Sequence, residues 1–249
     1  MASCANDNYA EPNSGIEGTI LDATTLKPVP QAIEAGASPM FKMYEKADSS
    51  KTYITFNGKI DGTFKNSWIF STDFLMTIEQ TNFFPIDPIS VTLVPGKITK
   101  MDILVIPFVR IDTLIATINQ TIGSNDSIAT RSLDFTYRMS RDSSAYKISS
   151  ISYMWHVSPY IDNAIGNSLG IKSVNVARKL ESDLVNKDLV FSIDLLKETE
   201  FLKPANLAII RSNGNKIYVR VSAMDNTHRK PNYSVVVPVI IPFIDNELK

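Results

Sequence analysis

Hydrophobic and polar residues alternate with a period of two through most of this 249-residue chain. Successive side chains of a β-strand point to opposite faces, so residues two apart share a face and are predicted to be buried together. Such sets recur along the chain: Phe41 and Met43; Phe74, Met76 and Ile78; Ile89, Val91 and Leu93; Met101, Ile103 and Val105; Leu114, Ala116 and Ile118; Leu133, Phe135, Tyr137 and Met139; Ile151, Tyr153, Trp155 and Val157; Leu189, Phe191, Ile193 and Leu195; Ile217, Val219 and Val221.

Glycine-containing pairs separate several of these segments and predict hairpin turns, because glycine accepts positive φ at little cost. Short strands at this spacing, without helical stretches between them, favour an antiparallel sandwich over strand–helix–strand units. Residues 171–183 are predicted as strand, and residues 195–202 as one or two helical turns that Pro204 ends. The turn pairs are Asn57-Gly58, Asp61-Gly62 and Pro95-Gly96.

The fold class is therefore all-β, with two consecutive antiparallel β-sandwich domains. The boundary is predicted near residues 106–110, where one strand ends at a proline and a new one starts within a few residues. Residues 1–14 are predicted as a flexible tether, 15–107 as the first sandwich and 108–249 as the second. So short a connection indicates two sandwiches held end to end with limited freedom.

Composition narrows the function classes. The net charge is -1, and basic and acidic residues are interspersed, which argues against a nucleic-acid partner. No apolar run approaches the roughly 18 residues of a transmembrane helix. The longest apolar stretch, 235–244, is interrupted by Pro238 and Pro242 and is predicted to be an edge strand and its exit.

The single cysteine, Cys4, follows the small residues Ala2 and Ser3. This arrangement resembles the end of a bacterial lipoprotein signal, in which the cysteine carries the lipid. The other interpretation is an unpaired thiol on a tail, since one cysteine cannot form an internal disulfide. The polar stretch after it suits a tether. We expect an outer-membrane or cell-surface lipoprotein, with the periplasmic face left open.

No recognised catalytic or phosphate-binding motif is present, and no catalytic residue, metal or cofactor is predicted. Cys4, His156 and His228 are too scattered for a zinc site, and both histidines are predicted to be solvated at the surface. Residues 162–167 offer oxygen ligands but lack the alternation and closing glutamate of a calcium loop. Turn chemistry explains that segment, and a weak Ca²⁺ site there stays open.

Exposed aromatic rings are the remaining candidates for ligand contact, because a ring face can cover the C–H face of a sugar. Trp155 shares a strand face with apolar neighbours and is predicted to fill the core. The candidates for glycan or partner contact, each of which can also be scaffold, are Trp68, Phe84, Tyr160 and Tyr218.

Residues 18–22 (GTILD), followed by Thr24-Thr25, Pro28 and Ala32, resemble the first strand and turn of carboxypeptidase-regulatory-like, transthyretin-like β-sandwiches. Residues 61–64 (DGTF) resemble a later strand of the same module. The first domain is thus expected to have that fold.

In the second half, residues 216–223 (KIYVRVSA) and 232–234 resemble the last two strands of fibronectin- or immunoglobulin-like sandwiches. With Cys4 and the junction at 107–111, the module order resembles an uncharacterised two-domain lipoprotein family found around polysaccharide-uptake systems of Gram-negative gut bacteria. The resemblance implies a non-catalytic envelope protein that binds polysaccharide or oligosaccharide, or docks to glycan-importer components, and meets the membrane only through its lipid. The alternatives are a structural or adhesive pilus-type subunit, a cryptic glycoside hydrolase and a transthyretin-like small-molecule carrier.

Overall fold

The computed structural model describes residues 11–33, 38–48, 52–124, 127–164 and 168–243. Strands make up 51% of the chain and helices 7%, which confirms the all-β class. Within the described ranges, no helix has both the length and the apolar character needed to cross a bilayer.

The first half forms two four-stranded sheets, in the orders β4-β1-β7, with β8 also on β1, and β3-β2-β5-β6. Side chains of the two sheets share one core, in which Ile16, Phe41 and Phe74 are buried. Strand β1 pairs with β7 and β8 in parallel, which the long connection between them permits. The strands are β1 (Ser14–Asp22), β2 (Met40–Glu45), β3 (Tyr53–Asn57), β4 (Thr63–Ile69), β5 (Asp73–Glu79), β6 (Ile89–Thr92), β7 (Ile98–Lys100) and β8 (Ile103–Val105).

The second half forms the sheets β13-β10-β9 and β12-β11-β14-β15, with β16 also paired to β14. Its core includes Phe135, Tyr153 and the predicted core residue Trp155, which is 1% exposed. The two pairs of sheets lie on either side of Pro107, although the domain boundaries themselves stay a prediction. The strands are β9 (Arg110–Ile122), β10 (Ile128–Ser140), β11 (Ile148–His156), β12 (Gly170–Asn175), β13 (Asp188–Asp194), β14 (Lys216–Asp225), β15 (Pro231–Tyr233) and β16 (Val237–Ile240).

Helix occurs in two places where the sequence predictions are incomplete. The helical turn predicted within residues 195–202 is present as α1 (Thr199–Leu202) and ends before Pro204, but Pro204 then begins a second helix, α2 (Pro204–Ser212), that the sequence did not predict. Proline is tolerated there because the first N–H of a helix has no intrahelical partner. The predicted strand over 171–183 ends at Asn175 and is followed by a turn and a 3₁₀-helix, Glu181–Asp183.

The turn at Asp61-Gly62 is as predicted and brings two segments close together. Gly62 has φ +84°, and a Cβ atom there would lie 2.7 Å from the Val29 carbonyl oxygen. The Asp61 carboxylate accepts hydrogen bonds from the Thr63 N–H and hydroxyl at 3.0 and 2.7 Å. The absence of a side chain at Gly62 thus lets the turn pack against the segment around Val29.

The outer face of β11 and β14 is buried, whereas alternation predicts it to be solvated. Met154 and Arg220 are fully buried, and Ser152 is 5% exposed. Met154 packs in a small cluster with Ala32 of the first half. The reason is tertiary: Ile161 and Tyr233 of the same half, together with Ala32 and the Ile60 carbonyl group of the first half, cover this face.

Candidate binding pocket at the junction of the two sandwiches

The linker residues 108–110 direct their side chains to three parts of the junction. Phe108 packs against other rings, and Val109 enters the core of the second sandwich. Arg110 turns back to the first sandwich and donates hydrogen bonds from Nε and Nη2 to the Asp22 carboxylate. The backbone bends at Phe108 and Val109 before β9 begins at Arg110, and the three side chains fix the linker to both halves.

A charged network occupies one side of the junction. Arg110 is 7% exposed and pairs with Asp22 and with Asp142, and its Nη2 also donates to the Thr24 hydroxyl at 3.1 Å. Burial acts to raise the pKa of Asp22, but the hydrogen bonds from Arg110, the Thr24 N–H and the Thr25 hydroxyl outweigh it, so the pKa is lowered. The hydrogen bond from Arg110 also lowers the pKa of Asp142. Both carboxyls are therefore held ionised.

Two asparagines cross-link the centre of the junction. Asn232 accepts a hydrogen bond from the Val109 N–H at 3.1 Å and donates one to the Asn82 carbonyl oxygen at 2.7 Å. Asn82 in turn donates to the Pro30 carbonyl oxygen at 3.2 Å. Segments from both halves are thereby held in one hydrogen-bonded unit.

A second buried arginine, Arg220, bridges the halves through backbone carbonyl groups and an aromatic ring. It donates to the carbonyl oxygens of Ser234 and Ile161 at 3.0 and 2.7 Å, and to that of Ile60 at 3.4 Å. Its guanidinium lies 4.1 Å from the Tyr233 ring centroid. Burial lowers the pKa of Arg220 to about 10.

Aromatic rings fill a second part of the junction. His228 stacks on Phe108 with ring centroids 3.8 Å apart and contacts Tyr146 at 4.5 Å, while Phe84 meets Phe108 edge-on at 5.0 Å. His228 also hydrogen-bonds through Nδ1 to Asp225 at 2.9 Å. The prediction of a solvated His228 is therefore wrong, because its loop folds back onto the linker.

A pocket of about 400 Å³ opens beside the charged network, between the two sandwiches. This volume falls at the lower end of the roughly 300–1,000 Å³ typical of small-molecule sites. Its polar lining is Asp22, Thr25, Lys27, Asp61, Arg110, Asp112, Asn232 and Tyr233.

The walls of the pocket are mostly apolar and come from several separate segments of the chain. Prolines contribute unusually often, which keeps these walls stiff because their φ angles are fixed. Among the apolar lining residues are Pro28, Pro30, Pro107, Pro159, Val235 and Val236. The pocket thus joins an apolar body with hydrogen-bonding groups at a few fixed places.

The four predicted contact aromatics do not form one site. Trp68 is 69% exposed on β4 of the first sandwich, and Phe84 is half-buried in the aromatic side of the junction. Tyr160 is 63% exposed and directly follows pocket-lining Pro159. Tyr218 is half-buried and packs in the cluster that contains the pocket residue Val236. Two of the four therefore lie beside the pocket.

Sequence patterns did not reveal the pocket's polar residues, which lie on turns and strand ends far apart in the chain. The signals available were the Asp61-Gly62 turn and the linker Arg110, neither of which is specific for binding. Cys4 lies outside the described residues, as does part of the 162–167 loop. In the described part of that loop, Asp162 accepts hydrogen bonds from the Ile33 and Ala164 N–H groups.

The other predicted sites show no metal chemistry in the described ranges. His156 is half-buried and accepts a hydrogen bond from the Ser158 N–H at 2.8 Å, so it closes a turn and is not fully solvated. Burial lowers the pKa of His156. Across the described residues, no three His, Cys, Asp or Glu side chains are close enough to share a metal ion.

Fold and site define a two-sandwich β-protein with a pocket between its halves. Residues 14–106 match the model of a family described as "Protein of unknown function (DUF3823) N-terminal domain". None of the curated proteins matches the chain.

Solved structures with the same fold extend over almost the whole chain. A DUF3823 family protein from Parabacteroides merdae has a TM-score of 0.70 at 17% identity and covers 92% of this chain and 100% of its own. A DUF3823 family protein from Bacteroides uniformis has a TM-score of 0.67 at 18% identity, with 93% and 100% covered. A third protein, also from Bacteroides uniformis and provisionally described as carbohydrate binding, has a TM-score of 0.65 at 19% identity, with 92% and 100% covered. At these identities the likeness concerns the fold.

Proposed function

We propose that this protein is a non-catalytic, carbohydrate-binding lipoprotein of the bacterial envelope that works beside an outer-membrane glycan importer. The observation that carries the proposal is the junction pocket, in which stiff apolar walls and fixed polar groups converge. The carbohydrate-binding description of a structural neighbour supports the ligand class. The sequence around Cys4 supports the lipid anchor, and the proposed location is the outer membrane or cell surface.

The chemistry of the pocket suits a sugar. A pyranose has an apolar C–H face and a rim of hydroxyl groups, so its site needs both an apolar wall and hydrogen-bonding side chains. Val235 and Pro159 belong to the walls, while Asp61 and Asp112 supply carboxylate oxygens. The hydrogen bonds through Arg110 and Asn232 keep the halves in place, so little ordering is needed on binding.

The state of the carboxyls favours binding over hydrolysis. A glycoside hydrolase of the usual kind needs one carboxyl with a raised pKa to act as the general acid. The pKa is lowered for Glu17, Asp22, Asp61, Asp134, Asp142 and Asp194, so none of these six, which include the pocket residues Asp22 and Asp61, is suited to act as a general acid. The carboxylate of the pocket residue Asp22 is also paired with Arg110.

The test is to fill the pocket and measure glycan binding. Val235 lines the pocket yet is 61% exposed, so Val235→Trp is expected to block the ligand with little effect on stability. The matched control is Val190→Trp, at a position 72% exposed on β13. Affinity electrophoresis and calorimetry against plant, mucin and microbial glycans should show binding by the wild type and the control, and at least tenfold weaker binding by Val235→Trp.

Two results would contradict the proposal. Absence of binding to every glycan by the wild type would remove the carbohydrate function. Equal binding by Val235→Trp and Val190→Trp would move the ligand to another surface.

A further inference from the structure

Resting on the proposed function, we infer that the junction pocket selects neutral sugars over acidic ones, with Asp61 and Asp112 as the residues that determine this specificity. The charged groups that line the pocket differ in whether other protein groups already pair with them.

Arg110, the buried cation of the pocket, is already neutralised by protein carboxylates and is not available to pair with an anionic ligand. Arg110 is paired with two carboxylates, Asp22 and Asp142, and is 7% exposed. The pKa of Arg110 is raised by its hydrogen bond to Asp22, which shows how firmly the guanidinium is engaged. A ligand carboxylate would have to compete with two anions already in place.

The carboxylates of the pocket, by contrast, keep acceptor capacity. Asp112 accepts the Ser140 hydroxyl through Oδ1 at 2.9 Å, and Asp61 uses Oδ1 for Thr63. Within the described ranges, the Oδ2 atom of each accepts no hydrogen bond from another residue. An ionised carboxylate only accepts hydrogen bonds, so these oxygens fit the hydroxyl donors of a sugar.

The balance of charges in the pocket lining also favours a neutral ligand. Three carboxylates and two cations line the pocket, and the remaining cation, Lys27, is an exposed residue at its edge. A uronic acid or a sulfated sugar would thus bring a negative charge next to Asp61 and Asp112 within a partly enclosed space. Repulsion between like charges at short range is stronger there than in open water.

The experiment compares neutral and acidic sugars whose residues differ at C6, the carbon outside the ring that carries a hydroxyl group in the neutral sugar and is a carboxylate in the acidic one. Calorimetry with oligogalactosides and oligogalacturonides, and with the glucose and glucuronic acid pair, measures the preference directly. For at least one pair we expect the neutral sugar to bind at least tenfold more tightly than its acidic counterpart. Asp112→Asn and Asp61→Asn keep the size of the side chain but remove its charge, and each should reduce that preference by about tenfold. Asp188→Asn, at a residue outside the pocket, is the matched control and should change nothing.

The outcomes separate this inference from the function on which it rests. Equal or tighter binding of the acidic member in every bound pair would overturn the neutral-sugar selectivity and leave carbohydrate binding intact. An unchanged preference in both Asp→Asn variants would overturn the roles of Asp61 and Asp112. No binding to any of these or other glycans would instead refute the carbohydrate function itself.

Discussion

Two parts of the junction hold the sandwiches together through different kinds of contact. In one part Phe108, Phe84, Tyr146 and His228 fill the space between the sandwiches with ring contacts. In the other part Arg110 links the halves through charged hydrogen bonds, and a pocket of about 400 Å³ stays open beside it. Aromatic rings stabilise the contact by filling the space between the halves. An ion pair stabilises it through directional hydrogen bonds, which leave volume for a ligand. The same aromatic residues therefore close one part and cannot serve a sugar there.

The largest loss of folding stability is expected from removing the ion pair between Arg110 and Asp22. Arg110→Leu leaves the buried Asp22 carboxylate without its partner, and loss of one member of a buried ion pair typically costs about 3–5 kcal/mol. Denaturant unfolding should show a loss of this size. The control is Arg138→Leu, because Arg138 is 47% exposed and 3.9 Å from Asp188. A change within about 0.5 kcal/mol is expected for it. Equal losses in the two variants would contradict the assigned role of Arg110.

A somewhat smaller loss of folding stability is expected from removing a ring of the aromatic cluster. Phe108→Ala removes a side chain that is 7% exposed and contacts two other rings, so a loss of about 3 kcal/mol is expected. Glycan binding, measured on the folded fraction, should fall much less than in Val235→Trp. The control, Phe70→Ala, changes a ring that is 49% exposed. Similar stability of the two variants would show that ring packing does not hold this side.

These contrasts also explain how far the sequence predicts the structure. Alternation identifies the inward faces correctly, as Phe135, Tyr137 and Trp155 show, because burial of an apolar face is a local requirement of each strand. It does not show that residues of the same half and of the first sandwich cover the opposite face of β11 and β14. The buried Met154 and Arg220 depend on that tertiary contact.

The candidate site was harder to predict for the same reason. Exposed aromatics were the only sugar-binding signal available, yet Phe84 is used for packing and Trp68 lies away from the pocket lining. Polar pocket residues such as Asp61 and Asp112 occupy turn and strand positions that have local explanations. Their convergence depends on how two sandwiches pack, and spacing along the chain does not encode it.

A third, smaller loss of folding stability is expected from removing the Asp142 carboxylate, and this loss should depend on pH. The pKa of Asp142 is lowered by Arg110, so the stabilisation it provides is present above the unfolded-state pKa of about 3.9 and is lost as pH falls through the lower folded value. Asp142→Asn should cost at most about 1 kcal/mol at pH 6, since the side chain is 36% exposed. The difference between variant and wild type should shrink toward pH 2. A difference that stays constant with pH would contradict an ionic role.

The smallest effect is expected far from the junction, at Trp68. This residue lies at a register shift on the edge strand β4 and is 69% exposed, so Trp68→Ala should change the free energy of unfolding by no more than about 0.5 kcal/mol. Its ring does not line the pocket, and calorimetry should therefore show unchanged glycan affinity. Tyr160→Ala, next to pocket-lining Pro159, should weaken binding severalfold. If Trp68→Ala abolished binding and Tyr160→Ala did not, the sugar would bind on the edge of the first sandwich. The open side of the junction would then be a gap left by an ion pair that cannot fill space.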